Sequence, residues 1–307
     1  MPKLWRKRVL LAKVESTYGT DAAPAATDAV LARSLELEVE AELLERELVR
    51  PTLGNLPALS AMRRCRVRAE VELAGPGAAG TTPAWGRLLR GCGLSETVTA
   101  GTKVDYQPAT DGHESLTLHW FADGVVHKVT GARGTASLRL EAGQIPVLTF
   151  EFTGLYQDPT DQALPTADVS AWKTPVIPSR AETPTFDLHG ISCTARSFEL
   201  DIANGVIFRD LVGASDVLVT DRAPRGSASI EAVPTSVKNW FATARQGTLG
   251  PFSLVHGTTA GSIVEITAPA VQVRTVRYEE ADSVVFQTLE LGFTEQSGDD
   301  ELTITAR

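Results

Sequence analysis

The sequence predicts a mainly β protein with two tandem β-sandwich or partial-barrel domains, each carrying one short helix, joined by a proline-rich linker. Alternation of apolar and charged residues, the period-2 signature of strands, dominates the chain, and helical periodicity is sparse. Residues 32–49 also return as residues 195–212 without a gap, with eight of the eighteen positions identical. Solenoid repeats span only about 20–50 residues, so a period near half of the chain indicates two copies of one domain.

The first domain is predicted to cover residues 31–157, after an N-terminal arm over residues 1–30. A helix is expected at 84–90, because Thr82-Pro83 offers a cap and a first-turn proline and Gly91 a stop. A tight turn at Asp123-Gly124 predicts a hairpin in which His119 faces Lys128 and Trp120 faces His127. The strand segments indicated by alternation or by β-rich runs are 35–40, 64–73, 116–121, 125–129 and 147–152.

The second domain is predicted to cover residues 191–307. The linker before it, residues 158–190, contains five prolines at 159, 165, 175, 178 and 184, which make it stiff and extended. A second helix is expected over 234–242, on the same plan as the first. Strands are expected at 195–202 and 284–293.

Acidic stripes mark the polar side of two matched strands. Leu35, Leu37 and Val39 alternate with acidic residues, so a one-residue slip in register would bury those charges. The stripes consist of Glu36, Glu38 and Glu40 in the first copy and Glu199 and Asp201 in the second. Arginines at 64, 66 and 68 alternate in the neighbouring strand, either pairing with the glutamates across strands or facing another subunit.

Two segments are unusually apolar for the loops that we expect there, residues 50–60 and 213–221. Exposed apolar loops tend to mark protein contacts, although both could fold back on their own domain. The candidate contact residues are Leu53, Leu56 and Leu59 in the first loop and Val217 and Val219 in the second.

Composition and motifs indicate no catalytic, cofactor-binding or metal site. Gly75 to Gly80 formally matches GxGxxG, but the preceding strand alternates as in a half-exposed antiparallel sheet, so a flexible loop is the better interpretation. His119 and His127 lie diagonally with a lysine beside them, which disfavours a metal site. A net charge of −9 argues against a general nucleic-acid binder. No apolar run reaches the roughly 20 residues of a membrane span. The apolar stretch at 9–12 is too short for a signal peptide, so we expect a protein that stays in the cytosol where it is made.

Three segments resemble the tail tube proteins of long-tailed, siphovirus-type bacteriophages. The opening Leu10 to Pro24, with Ser16-Thr17-Tyr18-Gly19-Thr20, is similar to the start of that family. Asp123 to Gly134 and Glu141 to Gly154 resemble an inner segment of its tube domain and the strand that ends it. Together the segments are spread over residues 10–156.

The resemblance implies a duplicated tube domain with no enzymatic activity and no cofactor. It implies stacked rings, here trimeric with pseudo-sixfold symmetry, that form a virion tail tube assembled in the bacterial cytoplasm. DNA would pass through without specific binding, and the acidic stripes would be channel-lining candidates. The two apolar loops would carry contacts between rings. Partners would be further copies of the chain and tail proteins such as the tape measure, terminator and distal tail protein, with no membrane partner.

Two other classes stay open at this point. One is a different duplicated β-sandwich of the virion, such as a tail terminator, connector or decoration protein. The other is a carbohydrate-binding or adhesin-like module, which would be expected to have a secretion signal and more than 6% aromatic residues.

Overall fold

Strands make up most of the chain, as the alternation predicts. A computed structural model describes residues 3–307. The elements of the first half are β1 (Arg8–Val14), β2 (Ala29–Val30), β3 (Ala32–Leu44), β4 (Leu59–Glu72), α1 (Gly86–Arg90), β5 (Leu94–Thr99), β6 (Lys103–Pro108), β7 (Leu116–Ala122), β8 (Val125–Glu141), β9 (Val147–Tyr156) and β10 (Thr160–Asp161). A single 3-10 turn, Ala26–Asp28, precedes β2.

The second half repeats much of this order. Its elements are β11 (Thr185–Leu188), β12 (Ile191–Ser192), β13 (Ala195–Asp201), β14 (Asn204–Leu211), β15 (Ala214–Arg222), β16 (Arg225–Glu231), α2 (Trp240–Gln246), β17 (Leu249–His256), β18 (Val264–Ala281), β19 (Val284–Thr294) and β20 (Thr303–Ala306). It has no hairpin matching β5–β6, because α2 is followed almost directly by β17.

One antiparallel sheet of eight strands runs through both halves, and we call it the inner sheet. The first half contributes the order β3-β4-β9-β8 and the second half the matching order β13-β16-β19-β18. The halves join where β8 pairs with β13, with residues 137–141 opposite residues 197–201. The two copies of the repeated unit are therefore hydrogen-bonded side by side. We call this β8–β13 pairing the internal joint; the sequence repeat alone does not predict it.

A second layer covers the apolar side of this sheet. In the first half it contains β1, which pairs with β7 along seven residues, so part of the segment expected to be an N-terminal arm is an integral strand. In the second half β17 pairs with β11 and with the start of β18. The C-terminal strand β20 pairs with both β18 and β6, which ties the second half to the extra hairpin of the first. One apolar cluster fills the space between the layers in both halves.

Both helices are shorter or later than expected. α1 occupies residues 86–90 within the expected range, whereas α2 begins at Trp240 rather than near Pro234. The side-chain oxygen of Asn239 accepts a hydrogen bond from the Ala242 backbone N–H, so Asn239 and not the proline defines the start of α2. The tryptophans aligned by the repeat, Trp85 and Trp240, are both buried in the core.

Four partly buried histidines predict that acid weakens the fold. Burial lowers the pKa of His119, His127, His189 and His256 below the ordinary value of 6.5, although Asp21 opposes this at His119. The unfolded chain therefore binds more protons below about pH 6.5, so stability is lost as pH falls through that value. We expect the Tm to drop between pH 7.5 and pH 5. Calorimetry at constant ionic strength checks this, and an unchanged Tm over that range would contradict it.

Candidate channel face and assembly edges

The inner sheet has one polar face, and all five acidic candidates lie on it. Residues directly opposite each other in neighbouring strands share a face, and the register places Glu36 opposite Arg68, which is opposite Glu151. Across the joint, Arg139 is opposite Glu199. The interleaved apolar residues, such as Val67 and Phe198, are buried on the other side. The structure thus brings Glu36, Glu38, Glu40, Glu199 and Asp201 together on one wet surface.

The three alternating arginines of β4, Arg64, Arg66 and Arg68, pair with acids of this same face. Arg64 and Arg66 both bind Glu40, at 2.5 and 3.0 Å, and Arg68 lies 3.6 Å from Glu151. Of the two alternatives left by the sequence, cross-strand pairing is the one observed. The face is therefore a mixed surface of acids and arginines rather than a purely acidic one.

Glu36 and Glu38 are exceptions to this pairing. Neither forms an ion pair with any residue in the 3–307 range, although both stand beside paired residues on β4. Both lie on β3, which among the described strands pairs only with β4. These two carboxylates therefore border an open sheet edge.

The inner sheet ends in two unpaired edges. One is β3, and the other is the second part of β18, residues 273–281, which among the described strands pairs only with β19. Both edges expose apolar side chains: Tyr278 is 65% exposed and packs on Phe241 at a ring distance of 5.3 Å, while Val39 on β3 is 43% exposed. Open apolar edges favour pairing with another strand.

The β8–β13 joint inside the chain shows how the apolar side chains of such edges become buried when two edges pair. There Leu138 and Leu140 of β8 meet Leu200 and Phe198 of β13, and all four are buried. Through the matched pairs of β8–β9 and β18–β19, Leu138 corresponds to Tyr278. The exposed tyrosine thus occupies the place of a residue that the other copy buries against a neighbour.

A separate two-stranded hairpin, β14–β15, extends from the second half onto the first. The side-chain amide of Asn204 donates to the backbone oxygens of Cys92 and Gly134, at 2.6 and 2.9 Å. Arg133 donates to the Val217 backbone oxygen at 2.9 Å, and the Val217 N–H donates to the Tyr18 hydroxyl at 2.6 Å. Residues 213–221, expected to be an exposed loop, are therefore mostly strand, and Val217 is fully buried.

Comparison with known protein families identifies the family of the chain. A family model described as phage tail tube protein matches residues 5–295. The chain belongs to the phage tail tube protein family. No curated protein matches the chain at a significant level.

As a member of this family, the chain is a structural protein of the virion tail. The two-layered, mainly β fold agrees with the fold expected from the resemblance. The expected hairpin register is also confirmed, with His119 opposite Lys128 and Trp120 opposite His127.

One group of exposed apolar residues in this tail tube protein lies at its hairpin tips. In the first half Leu53 is exposed and Leu56 is half-buried in the loop between β3 and β4. Leu59 is exposed too, but it is the first residue of β4, so the loop ends before residue 59 and not at residue 60 as expected. In the second half the exposed pair is Leu211 and Val212 rather than Val217, and Val219 is half-buried. Leu211-Val212 matches Leu48-Val49 in the repeat, and all four are exposed, so the internal repeat is itself a sequence signal for these tip residues.

The described part of this tail tube protein shows neither a metal-binding cluster nor a membrane-spanning helix. Across residues 3–307 no group of three or more His, Cys, Asp or Glu residues could hold a metal ion. His119 instead contacts Asp21, at 3.0 Å from its Nε2 atom. None of the helices within that range is both long and apolar enough to cross a membrane.

Proposed function

We propose that three chains close into a ring by head-to-tail pairing of β18 of one subunit with β3 of the next. The observation that carries this proposal is the β8–β13 joint, in which the same two strand types already pair inside one chain. Repeating this joint between subunits continues the inner sheet, and a heterologous contact closes into a ring when its rotation allows. Six copies of the repeated unit, 31–157 and 191–307 from each of three chains, then surround one channel with pseudo-sixfold symmetry.

The internal joint also predicts the register between subunits. Transferring its residue pairs through the repeat places Leu37 opposite Tyr278 on the apolar side. On the wet side Glu38 falls opposite Arg277, and Glu36 falls opposite Glu279. The joint between subunits therefore gains one ion pair but brings two acids together where the internal joint has Arg139 opposite Glu199.

The wet face of the inner sheet lines the channel in this proposal. Phosphate contacts dominate the affinity of proteins for nucleic acid, and arginines already paired with glutamates are poor phosphate ligands. Glu36, Glu38, Glu40, Glu199 and Asp201 keep the surface from attracting DNA. The genome thus passes through the tube into the host cell without being held by specific contacts.

Contacts between stacked rings are assigned to the hairpin tips. The loop with Leu53, Leu56 and Leu59 serves the first half, with Leu48 and Val49 beside it. In the second half we assign these contacts to Leu211 and Val212 instead of Val217 and Val219, because Val217 is buried against the first half of its own chain. Deleting residues 52–58 should leave folded subunits and abolish tube growth. The ends of the tube bind terminator and distal tail proteins, and its lumen holds the tape measure protein before ejection.

Electron microscopy of the purified protein tests the ring directly. We expect hollow tubes whose rings contain three chains, and native mass spectrometry of dissociated rings should show the trimer mass. Six chains per ring would overturn the stoichiometry, and discrete particles without a channel would overturn the function.

A charge exchange tests the proposed register between subunits. Each single reversal, Glu38→Arg or Arg277→Glu, should weaken assembly, because exposed ion pairs contribute about 1 kcal/mol or less and like charges repel by a similar amount. The critical concentration for tube formation should rise severalfold in each single variant. The double variant should recover most of this loss, and additive losses in the double variant would contradict the register.

A further inference from the structure

The two hairpins of the internal repeat have different conformations in the same chain. In the first half β3 and β4 remain paired as far as Leu44 and Leu59. In the second half the chain leaves the inner sheet at Ala203, which has a φ of 53°, and forms β14–β15 on the surface of the first half. Within residues 3–307, the second hairpin docks on the copy of the repeat that precedes it, and no such copy precedes the first hairpin in that range.

A single arginine joins this docked hairpin to two segments of the first half. The Arg133 guanidinium donates to the backbone oxygens of Val217, His113 and Glu114, at 2.9, 2.7 and 3.3 Å, and stacks over the Tyr18 ring at 4.9 Å. Val217 and Glu114 are therefore both within reach of one side chain. The docking site consists of the segment just before β7 and the middle of β8.

The first hairpin has an irregularity where the second one bends. The β3–β4 register shifts between Ala41 and Glu42, and in the gapless repeat these residues match Asn204 and Gly205. On the facing strand Met62 has a φ of 32°, an uncommon value for a residue with a side chain. A bulge of this kind bends a strand locally. The first hairpin thus contains a bulge at the position where its counterpart leaves the inner sheet.

We propose that, in the ring, the first hairpin bends at this bulge and docks the side that carries Ala58 on the second half of the adjacent subunit, which leaves the tip around Leu53 for the contacts between stacked rings. This inference rests on the proposed ring, in which the unit preceding each first half belongs to another chain. The docking site is the counterpart of the one used by β14–β15. Matching β8–β9 to β18–β19 places Gln272 where Arg133 stands, and Thr248 precedes β17 as Glu114 closely precedes β7.

The surface around Gln272 and Thr248 suits this occupant. Arg245 at the end of α2 and Arg274 beside Gln272 are exposed and form no ion pair within residues 3–307. Leu249 next to them is 51% exposed. The first hairpin offers matching groups in Glu42, Glu45 and Glu47, near Leu43 and Leu44, and it also carries Arg46 and Arg50. Opposite charges and exposed apolar residues thus meet across the same predicted contact.

Cysteine cross-linking tests the inference, with the full chain assembled into tubes. Ala58 is the counterpart of Val217 when β4 is matched to β16, so the test variant carries Ala58→Cys and Thr248→Cys. Both positions are exposed, and the variants with only one of these substitutions control for the native cysteines. A short bifunctional thiol reagent is added to the tubes, and the products are separated under denaturing conditions.

We expect a ladder of covalent dimers and trimers that ends at three chains, because contacts within one ring close after three subunits. A ladder continuing beyond three would mean that the hairpin reaches a stacked ring, and it would overturn the inference. If tubes with three chains per ring give no cross-links, the docking inference is wrong. The proposal of a three-chain ring would not be affected by that result. Failure to form rings at all, in the unsubstituted protein, would instead contradict the proposed function.

Discussion

Replacing Tyr278 by lysine is expected to leave a folded chain that no longer assembles. Tyr278 is 65% exposed in the free chain, so the substitution should cost little folding stability. In the proposed ring it takes the place that Leu138 has in the internal joint, where the side chain is 3% exposed. Losing about 2–3 kcal/mol of buried apolar contact per joint, and burying a charge as well, should raise the critical concentration for assembly by at least about 100-fold.

Sedimentation velocity and electron microscopy measure this outcome. Tyr278→Phe is the matched control, because it keeps the aromatic side chain. This variant should form tubes at close to the original protein concentration. Val98→Lys places the same charge on β5, away from both inner-sheet edges, and should also assemble. Normal tube growth by the Tyr278→Lys variant would show that the β18 edge does not form the joint.

The largest effect on folding is expected from Glu15, which follows β1. Its carboxylate is 9% exposed and accepts hydrogen bonds from the Gly19 and Gly131 backbone N–H groups, both at 2.8 Å. It also accepts from the hydroxyls of Ser115 and Thr117, at 2.6 and 2.8 Å. One side chain thus joins the N-terminal segment to β7 and to the middle of β8.

Glu15→Ala should lower the free energy of unfolding by about 3–5 kcal/mol, because it leaves several buried donors without an acceptor. Glu15→Gln keeps one acceptor oxygen and should lose less. Glu295→Ala removes an exposed carboxylate without such contacts and should be nearly neutral. Urea unfolding followed by circular dichroism checks all three, and equal stability of Glu15→Ala and Glu295→Ala would contradict the assignment.

Local patterns in the sequence predicted the strands and their wet and buried faces. Alternation around Glu36 and Glu38 determined which side of β3 is polar, because a strand places successive side chains on opposite faces whatever its partners are. The Asp123-Gly124 turn likewise determined the register of β7 and β8, since a two-residue turn leaves only one pairing for the flanking residues.

The ion pairs of Arg64, Arg66 and Arg68 could not be predicted from the sequence, because they depend on which strands become neighbours. The same limit applies to Val217, whose burial depends on Tyr18 and Arg133, far away in the chain. The start of α2 also differed from expectation, because the local hydrogen bond of Asn239 prevailed over the proline signal at 234.

The sequence by itself determined that the chain contains one β unit twice, since the repeat of 32–49 at 195–212 is visible without any structure. Only the tertiary structure decided that these units share one sheet and leave β3 and β18 as open edges. The β8–β13 pairing is made by backbone hydrogen bonds, which every residue type except proline can form in the same way. The sequence of an edge strand therefore does not identify the strand that it pairs with. Which edges stay open is therefore set by the packing of the whole chain.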